Sequence, residues 1–413
     1  MTQSDDDAVR AQYEGYPYPA RDPADERQRL ITGSPSHILE IEHYVFAGRR
    51  AGALNALVAG GGTGDAAIML AQQLADRGRG RVTYVDMSAA SMDIARRRAE
   101  VRGLDNIAFH HGSLLDIGNI ASGPYDYIDC CGVLHHLADP AAGLAALVSV
   151  LKPDGGLGFM VYGELGRTGV YPLQRAIGRL AGDADDAARL ALARQVLDDL
   201  PEGNWFRRNP HVQDHVAGGD AGLYDLLLHR RDRAYTVPQV AALVAAADLR
   251  ITGFLPPGQY DPAHYLSDAD LCRRAAALPM LDAAALAEEL SGAMKTHAFY
   301  AVRAGNPAGG AADPTDSAAV PVIRDRPAKD LAGGLARSRR LTAELGGRAV
   351  TLSVPDGAAD IVALCDGRRS LKQIHGKLRA SGLMGDWEDF QTRFLAVYRL
   401  LQPLHMLLLA GAR

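Results

Sequence analysis

Residues 54–65 read Leu-Asn-Ala-Leu-Val-Ala-Gly-Gly-Gly-Thr-Gly-Asp, an apolar run that stops at four glycines within five residues. The pattern predicts the first strand of a parallel sheet feeding a glycine loop, with a helix opening near Asp65 and running through Ile68, Leu70 and Leu74. Glycine suits that loop because it reaches backbone angles closed to other residues. Having no Cβ, it also lets a ligand lie against the main chain at the helix N-terminus. Gly60, Gly62 and Gly64 give GxGxG. The GxGxxG/A dinucleotide fingerprint fails, because Asp65 stands where its third small residue belongs. A nicotinamide-dependent oxidoreductase is therefore disfavoured.

The chain has 413 residues, enough for two or three domains, and 47% are hydrophobic, enough for packed cores. A net charge of -5 argues against a dedicated nucleic-acid binder. The start, MTQSDDDAVR, is acidic and lacks a signal peptide's basic region and apolar core, and no run of 18 apolar residues follows. The expectation is a cytoplasmic protein without a membrane segment. Cys130, Cys131, Cys272 and Cys365 form no CxxC pair, so neither disulfides nor structural zinc are expected.

Beyond the glycine loop, RVTYVD (81–86) reads as a second strand ending in a carboxylate 22 residues past Gly64. That is close to the roughly 20 expected for an acid on ribose hydroxyls, and a carboxylate can accept both bonds of a diol. Asp86 could otherwise cap the helix predicted over 88–102, or Ser88 could cap it and leave Asp86 merely exposed. Met87 is placed either for an adenine face or for the core. NIAFHHGSLLDI (106–117) gives a third strand and a turn, and its adjacent His110 and His111 point to opposite faces, so no metal is expected there. YDYIDCC (125–131) is a fourth strand; GVLHHL leads to Asp139-Pro140, an N-cap and first helical position. His135 and His136 thus fall at the C-terminal end of a parallel strand, where open α/β sheets bind ligands. Either could take a proton, or one could turn inward to bond the backbone. KPDGG (152–156) reads as a turn before a fifth strand ending at Tyr162.

In this order the glycine loop, the acid-ended second strand, the paired histidines and KPDGG resemble the motifs of class I S-adenosylmethionine (SAM) methyltransferases, over about residues 54–162 and more loosely in the flanks. The resemblance implies a seven-stranded Rossmann-like α/β sheet with helical insertions, SAM as cofactor and methyl transfer. It places Ala59, Gly60, Gly61, Gly62, Gly64 and Asp65, then Asp86 and Met87, then Ser113, Leu114 and Gly132, around the cofactor. His135, His136 and Tyr162 become the catalytic candidates. Two positions depart from the family: Val58 stands where an acid usually precedes the first glycine, and Ser113 where an acid usually meets the adenine amine.

Residues 11–23, AQYEGYPYPARDP, are too broken by proline for a helix interior and read as an ordered arm; the resemblance implies a lid carrying Tyr13, Tyr16 and Tyr18. Residues 36–50 read as a helix, with Ile38, Ile41, Tyr44 and Val45 on one face. An insertion at 163–234 interrupts the alternation, and by resemblance shapes the acceptor pocket. Its Trp205, Arg208, His215 and His229, with Tyr16 and Tyr18, are the substrate-contact candidates; a solvated helical cap is the other reading. Thr236-Val-Pro238 opens a helix, LRITGFL is a sixth strand, and THAFYAV a seventh. The expected organisation is an arm and helix over 1–53, a methyltransferase domain over 54–305, a linker over 306–322 rich in small residues, and a small helical unit over 323–413. Within that unit CDGRRSLKQI resembles winged-helix-like modules, and the terminal MLLLA invites a homo-oligomer contact.

The expected function is methyl transfer to a small molecule or a protein or peptide side chain, with nucleic acid and membrane not favoured. A SAM-binding sensor or assembly protein without turnover is the alternative, motivated by Val58 and Ser113.

Overall fold

The computed structural model describes residues 3–345 and 347–410. Strands β1 (Asn55–Ala59), β2 (Arg81–Asp86), β3 (Ile107–His111), β4 (Tyr125–Cys131), β5 (Leu151–Tyr162), β6 (Leu249–Leu255) and β7 (Thr296–Arg303) form one sheet in the order β3-β2-β1-β4-β5-β7-β6. The first five are parallel and β7 runs antiparallel to both neighbours. Alternation within the strands sends side chains into two cores. Leu57, Ala59, Ile128, Leu157 and Phe159 face one layer, and Ala56, Val58, Tyr84, Tyr127 and Tyr300 face the other. Successive crossovers diverge between β1 and β4, so their C-terminal ends open the crevice in which such sheets bind ligands.

Four helices position this crevice: α1 (Gln3–Gly15), α2 (Ile38–Tyr44), α3 (Asp65–Asp76) and α4 (Ala89–Arg102). Helix α3 starts at Asp65 as its sequence predicts. The arm is more helical than its prolines suggest, because α1 persists to Gly15 and the irregular stretch begins only at Tyr16. The helix expected over 36–50 is confined to Ile38–Tyr44. KPDGG is not a free turn either. Leu151 pairs with Tyr125 and Gly156 with Tyr127, so the residues between bulge out of β5 opposite Asp126.

The segment expected as a linker is tied down. The Gly310 N–H donates to the Val45 carbonyl at 3.0 Å and the Ala312 N–H to that of His43 at 2.8 Å. The last residues of 306–322 already belong to β8 (Val320–Ile323). A hairpin of β9 (Arg340–Leu345) and β10 (Arg348–Ser353) follows, then helices at 358–362, 371–380 and 387–401, and β11 (Leu407–Ala410) pairs with β8. MLLLA is therefore not an open oligomer face. Leu407 and Leu409 enter the core of the C-terminal unit, while Leu408, on the opposite face of the strand, enters the core of the sheet domain.

A buried polar chain joins the same two units. The Ser36 hydroxyl donates to Asp129 Oδ2 at 2.5 Å; the Ser36 N–H donates to the Tyr300 hydroxyl, which donates to Glu40 Oε2, each at 2.8 Å. Arg324 of the C-terminal unit closes on Glu40 Oε1 at 2.8 Å. Burial raises the Glu40 carboxyl to about 7 although Arg324 opposes it. Arg324→Ala should destabilise the protein by about 3–5 kcal/mol, the usual penalty for a buried charge stripped of its partner. The folded Glu40 pKa lies above its unfolded value, so stability contributed by the protonated acid is lost as pH rises toward 7. Denaturant unfolding of the variant should show a larger loss at pH 8 than at pH 5.

Candidate functional site

The glycine loop is a close-packed cradle. A Cβ on Gly60 would lie 2.4 Å from a Val133 methyl, and one on Gly61 2.2 Å from the Tyr84 ring. Gly62 and Gly64 hold φ of 51° and 102°. The Tyr84 hydroxyl donates to the Gly62 carbonyl at 2.6 Å and fixes the loop to β2. Asp86 ends β2 beside it. Its Oδ2 accepts the Gly62 N–H at 2.7 Å and its Oδ1 the Ser88 N–H at 2.8 Å. Burial raises this carboxyl, while those backbone donors pull the other way. Each carboxylate oxygen has a second lone pair, so the acid is oriented and still able to accept a diol.

The helix after β2 is capped by Ser88, as the alternative reading of this stretch allows. Met87 is half-buried, and its carbonyl accepts from His111 Nε2 at 3.0 Å. The Ser113 hydroxyl accepts the Leu115 N–H at 3.2 Å, while Leu114 is buried in the core. Gly132 turns out of β4 with φ 78°. Val58 is fully buried in the core on the α2 and α3 side, so no acid stands at that point of β1.

The arm lies over this cradle. The Tyr13 carbonyl accepts from the Ser88 hydroxyl at 3.2 Å, and the Glu14 carboxylate takes the Ala89 and Ala90 N–H groups at 2.6 and 3.1 Å, capping α4. The Pro19 carbonyl accepts from the Thr63 hydroxyl at 2.7 Å. Arg21 pairs with Asp65 at 2.6 Å, and Asp65 also meets the buried Arg98.

On the far side of the crevice, beyond β4 and β5, histidines and tyrosines converge. His136 Nδ1 lies 3.1 Å from the Arg231 carbonyl, which can only accept, so Nδ1 carries the proton and Nε2 keeps its lone pair. Burial lowers this imidazole to about 3. His135 is fully buried, its ring 3.9 Å from Tyr162 and 4.1 Å from His136, and neither of its nitrogens has a partner. An orphaned buried polar group costs about 1–3 kcal/mol and calls for explanation.

His229 accepts the Arg231 N–H at Nδ1, at 3.0 Å, so its Nε2 bears the proton and faces the Tyr13 hydroxyl at 3.1 Å. Tyr13 in turn donates to Asp225 Oδ1 at 3.3 Å, and Tyr162 to Asp225 Oδ2 at 2.7 Å. Asp225 lies in a π-helical turn, Tyr224–Leu228, whose widened register faces it inward. The Arg167 guanidinium sits 3.7 Å over the Tyr162 ring and pairs with Asp232 at 3.3 Å.

Among the substrate-contact candidates, the structure brings His229 into this cluster. Tyr18 lies over the cofactor cradle, with its carbonyl 3.1 Å from where a Gly62 Cβ would stand. Tyr16 instead stacks on Tyr224 at 4.9 Å. Trp205 is 67% exposed and Arg208 lies on the surface. His215 packs on Phe206, lining a separate cleft of about 470 Å³ within the insertion. Asp225, Asp232 and Arg167 were not singled out as site residues. Asp225 and Asp232 lie in the charged run DLLLHRRDRAY (225–235), of which the π-turn holds only Asp225, and Arg167 ends the short turn after β5.

His136, Asp225 and His229 also bring one potential ligand atom each to within 4.8 Å of one another, a grouping the spacing of His110 and His111 gave no hint of. Its geometry suits a cation poorly. The two imidazoles stack at 3.9 Å and 15°, so one ion cannot lie in both ring planes, and His229 Nε2 is the protonated nitrogen.

A methyltransferase-domain family profile matches residues 57–157. An uncharacterised protein of Synechococcus sp. (strain ATCC 27144) is 31% identical over 284 residues, 66% of each chain. The Escherichia coli K12 tRNA 5-carboxymethoxyuridine methyltransferase is 40% identical over 114 residues, 27% of this chain and 42% of that enzyme. The chain thus spans under half of that enzyme's length. In fold, PKMT2 from Rickettsia typhi superposes with a TM-score of 0.58 at 13% identity, over 87% of this chain and 71% of that one. Its complex with AdoHcy gives 0.57 at 14% identity, over 96% and 76%.

Glycine cradle, oriented acid and switch-point crevice define a Rossmann-like cofactor-binding domain. Residues 57–157 form a methyltransferase domain of the class I SAM-dependent kind, whose cofactor is SAM. Asp86→Ala should weaken SAM binding about 100-fold, as expected for two lost charge-assisted bonds; calorimetric titration giving unchanged affinity would displace the ribose from Asp86.

Proposed function

We propose that the chain transfers a methyl group from SAM to a heteroatom of a small molecule or of a protein or peptide side chain, bound beneath the insertion. The observation that carries this reading is the state of His136. Its imidazole is neutral, and its Nε2 lone pair is held in place by the Nδ1–H bond to Arg231 at the acceptor end of β4. When bound, SAM supplies a methyl carbon made electrophilic by its sulfonium. The residues of the chain then have two tasks. Gly60 to Gly64 and Asp86 hold the cofactor's nucleoside end, and the arm excludes water above it. His136 takes the acceptor's proton, and Tyr162 and His135 border the space in which the acceptor atom sits. Alignment in such a closed site can contribute about 7–11 kcal/mol; the base adds about 10²- to 10⁴-fold.

The experiment is incubation of the full chain with trideuteromethyl-SAM and a bacterial extract, with mass spectrometry of the small-molecule and macromolecular fractions. Labelled product in either fraction supports turnover and sorts the acceptor class. SAM binding with no S-adenosylhomocysteine formed would favour the sensor reading. His136→Ala should lower kcat by about 10²-fold or more with SAM affinity unchanged. Because burial keeps His136 near 3, kcat/KM should show no histidine-like loss between pH 8 and pH 5.5. A protonation step near 6.5 in that profile would remove His136 from the role.

A further inference from the structure

The proposed acceptor site contains a carboxyl that desolvation pushes up, against the pull of the Tyr162 hydroxyl, the Arg167 charge and the Tyr13 hydroxyl. Asp225 is 6% exposed, accepts only from the Tyr13 and Tyr162 hydroxyls, and forms no ion pair among the described residues. The nearby guanidinium of Arg167 pairs with Asp232 through one nitrogen and lies on the face of Tyr162, while its buried Nε has no partner. Every histidine around it is held neutral by burial. A buried carboxyl without a cation is costly unless a bound partner brings the positive charge. Beside it, His135 is fully buried with both ring nitrogens unpartnered, so the same space lacks a donor for a histidine and a cation for an acid.

A metal ion fits badly, since the stacked rings of His136 and His229 cannot share one. An anionic acceptor fits worse, because it would face the Asp225 carboxyl, while the Arg167 guanidinium is already paired with Asp232. A group that is positively charged, carries several N–H donors and can give up a proton meets all the requirements together.

We propose that the acceptor is an amine, bound as its ammonium ion against Asp225 between Tyr13, Tyr162 and His135. The inference rests on the methyltransferase reading above and narrows its acceptor. Of the three N–H bonds, one points to Asp225, one satisfies a ring nitrogen of His135, and one faces His136 Nε2. That last proton leaves for solvent by way of His136 Nε2, whose imidazole burial keeps neutral at rest, and the amine then turns its lone pair toward the methyl carbon. The freed nitrogen lone pair forms the N–C bond while the C–S bond breaks, its electrons returning to sulfur. The products are a methylammonium ion, still paired with Asp225, and S-adenosylhomocysteine. Tyr13 enters this site from α1, so the arm that covers the cofactor also completes the ammonium's surroundings.

The test uses the full chain with trideuteromethyl-SAM and matched panels of free amines, lysine-containing peptides, alcohols and carboxylic acids. Tandem mass spectrometry locates the label. Label on nitrogen is expected. Label on oxygen or carbon would overturn the amine acceptor and leave methyl transfer standing; SAM bound with no label in any panel would overturn both. In the amine reaction, Asp225→Asn should raise the acceptor KM about 100-fold, as for a charge partner removed from a buried pair, with SAM affinity unchanged, and Asp225→Glu should recover part of it. Equal KM in wild type and Asp225→Asn, or one equivalent of metal in wild type that is absent from Asp225→Asn, would also overturn it.

Discussion

The approach of main chain to side chain at the end of β1 constrains the rest of the molecule. Val133 and Tyr84 stand so close to Gly60 and Gly61 that no side chain can intervene, and the loop they shape hands its Gly62 N–H to Asp86. This one bond links β1, β2 and the start of α3, which together make the cofactor side. Asp65, at the first position of α3, then serves as the anchor for Arg21 of the arm and Arg98 of α4. The arm is thereby laid over the cradle by the Arg21–Asp65 ion pair and by its hydrogen bonds to Thr63, Ser88, Ala89 and Ala90.

The histidine and tyrosine cluster proposed as the acceptor side is built from more distant parts of the chain. Tyr13 comes from α1, the histidine pair from the end of β4, Tyr162 from the end of β5, and Asp225 and His229 from the insertion. Hydrogen bonds with fixed direction order them. The carbonyl of Arg231 sets the tautomer of His136, and its N–H sets that of His229. A single residue of the insertion thus gives the two stacked imidazoles opposite roles, one with a free lone pair and one with a proton to donate. Low dielectric keeps both rings neutral and raises the Asp225 carboxyl, against the pull of the Tyr162 hydroxyl and the Arg167 charge.

The C-terminal unit is integral to this arrangement. Strand β11 alternates its leucines between two cores, and Arg324 reaches Glu40, from which hydrogen bonds continue through Tyr300 and Ser36 to Asp129 on β4. Asp129 is in register with Val58 of β1, at the centre of the crevice. Packing of the C-terminal unit therefore bears on the strand that delivers His135 and His136.

The sequence by itself determined the glycine loop, the acid-ended second strand and the histidine pair. A glycine loop after an apolar strand, an acid about twenty residues on and a histidine pair after a fourth strand are local signals, because each depends on backbone geometry and period within a few neighbouring residues. That is why α3, the ends of β2 and β4 and the Asp139-Pro140 cap were legible. Only the tertiary structure decided the acceptor half. Trp205 and Arg208 have the chemistry of a binding site yet stand in solvent, whereas Asp225, indistinguishable in the sequence from the other charges of its run, is turned inward by a π-helical register. The fate of MLLLA was equally invisible, since an apolar run looks the same whether it covers a partner or is shared between two cores of one chain. Which side chains meet across hundreds of residues depends on the packing of whole elements, and no local period encodes it.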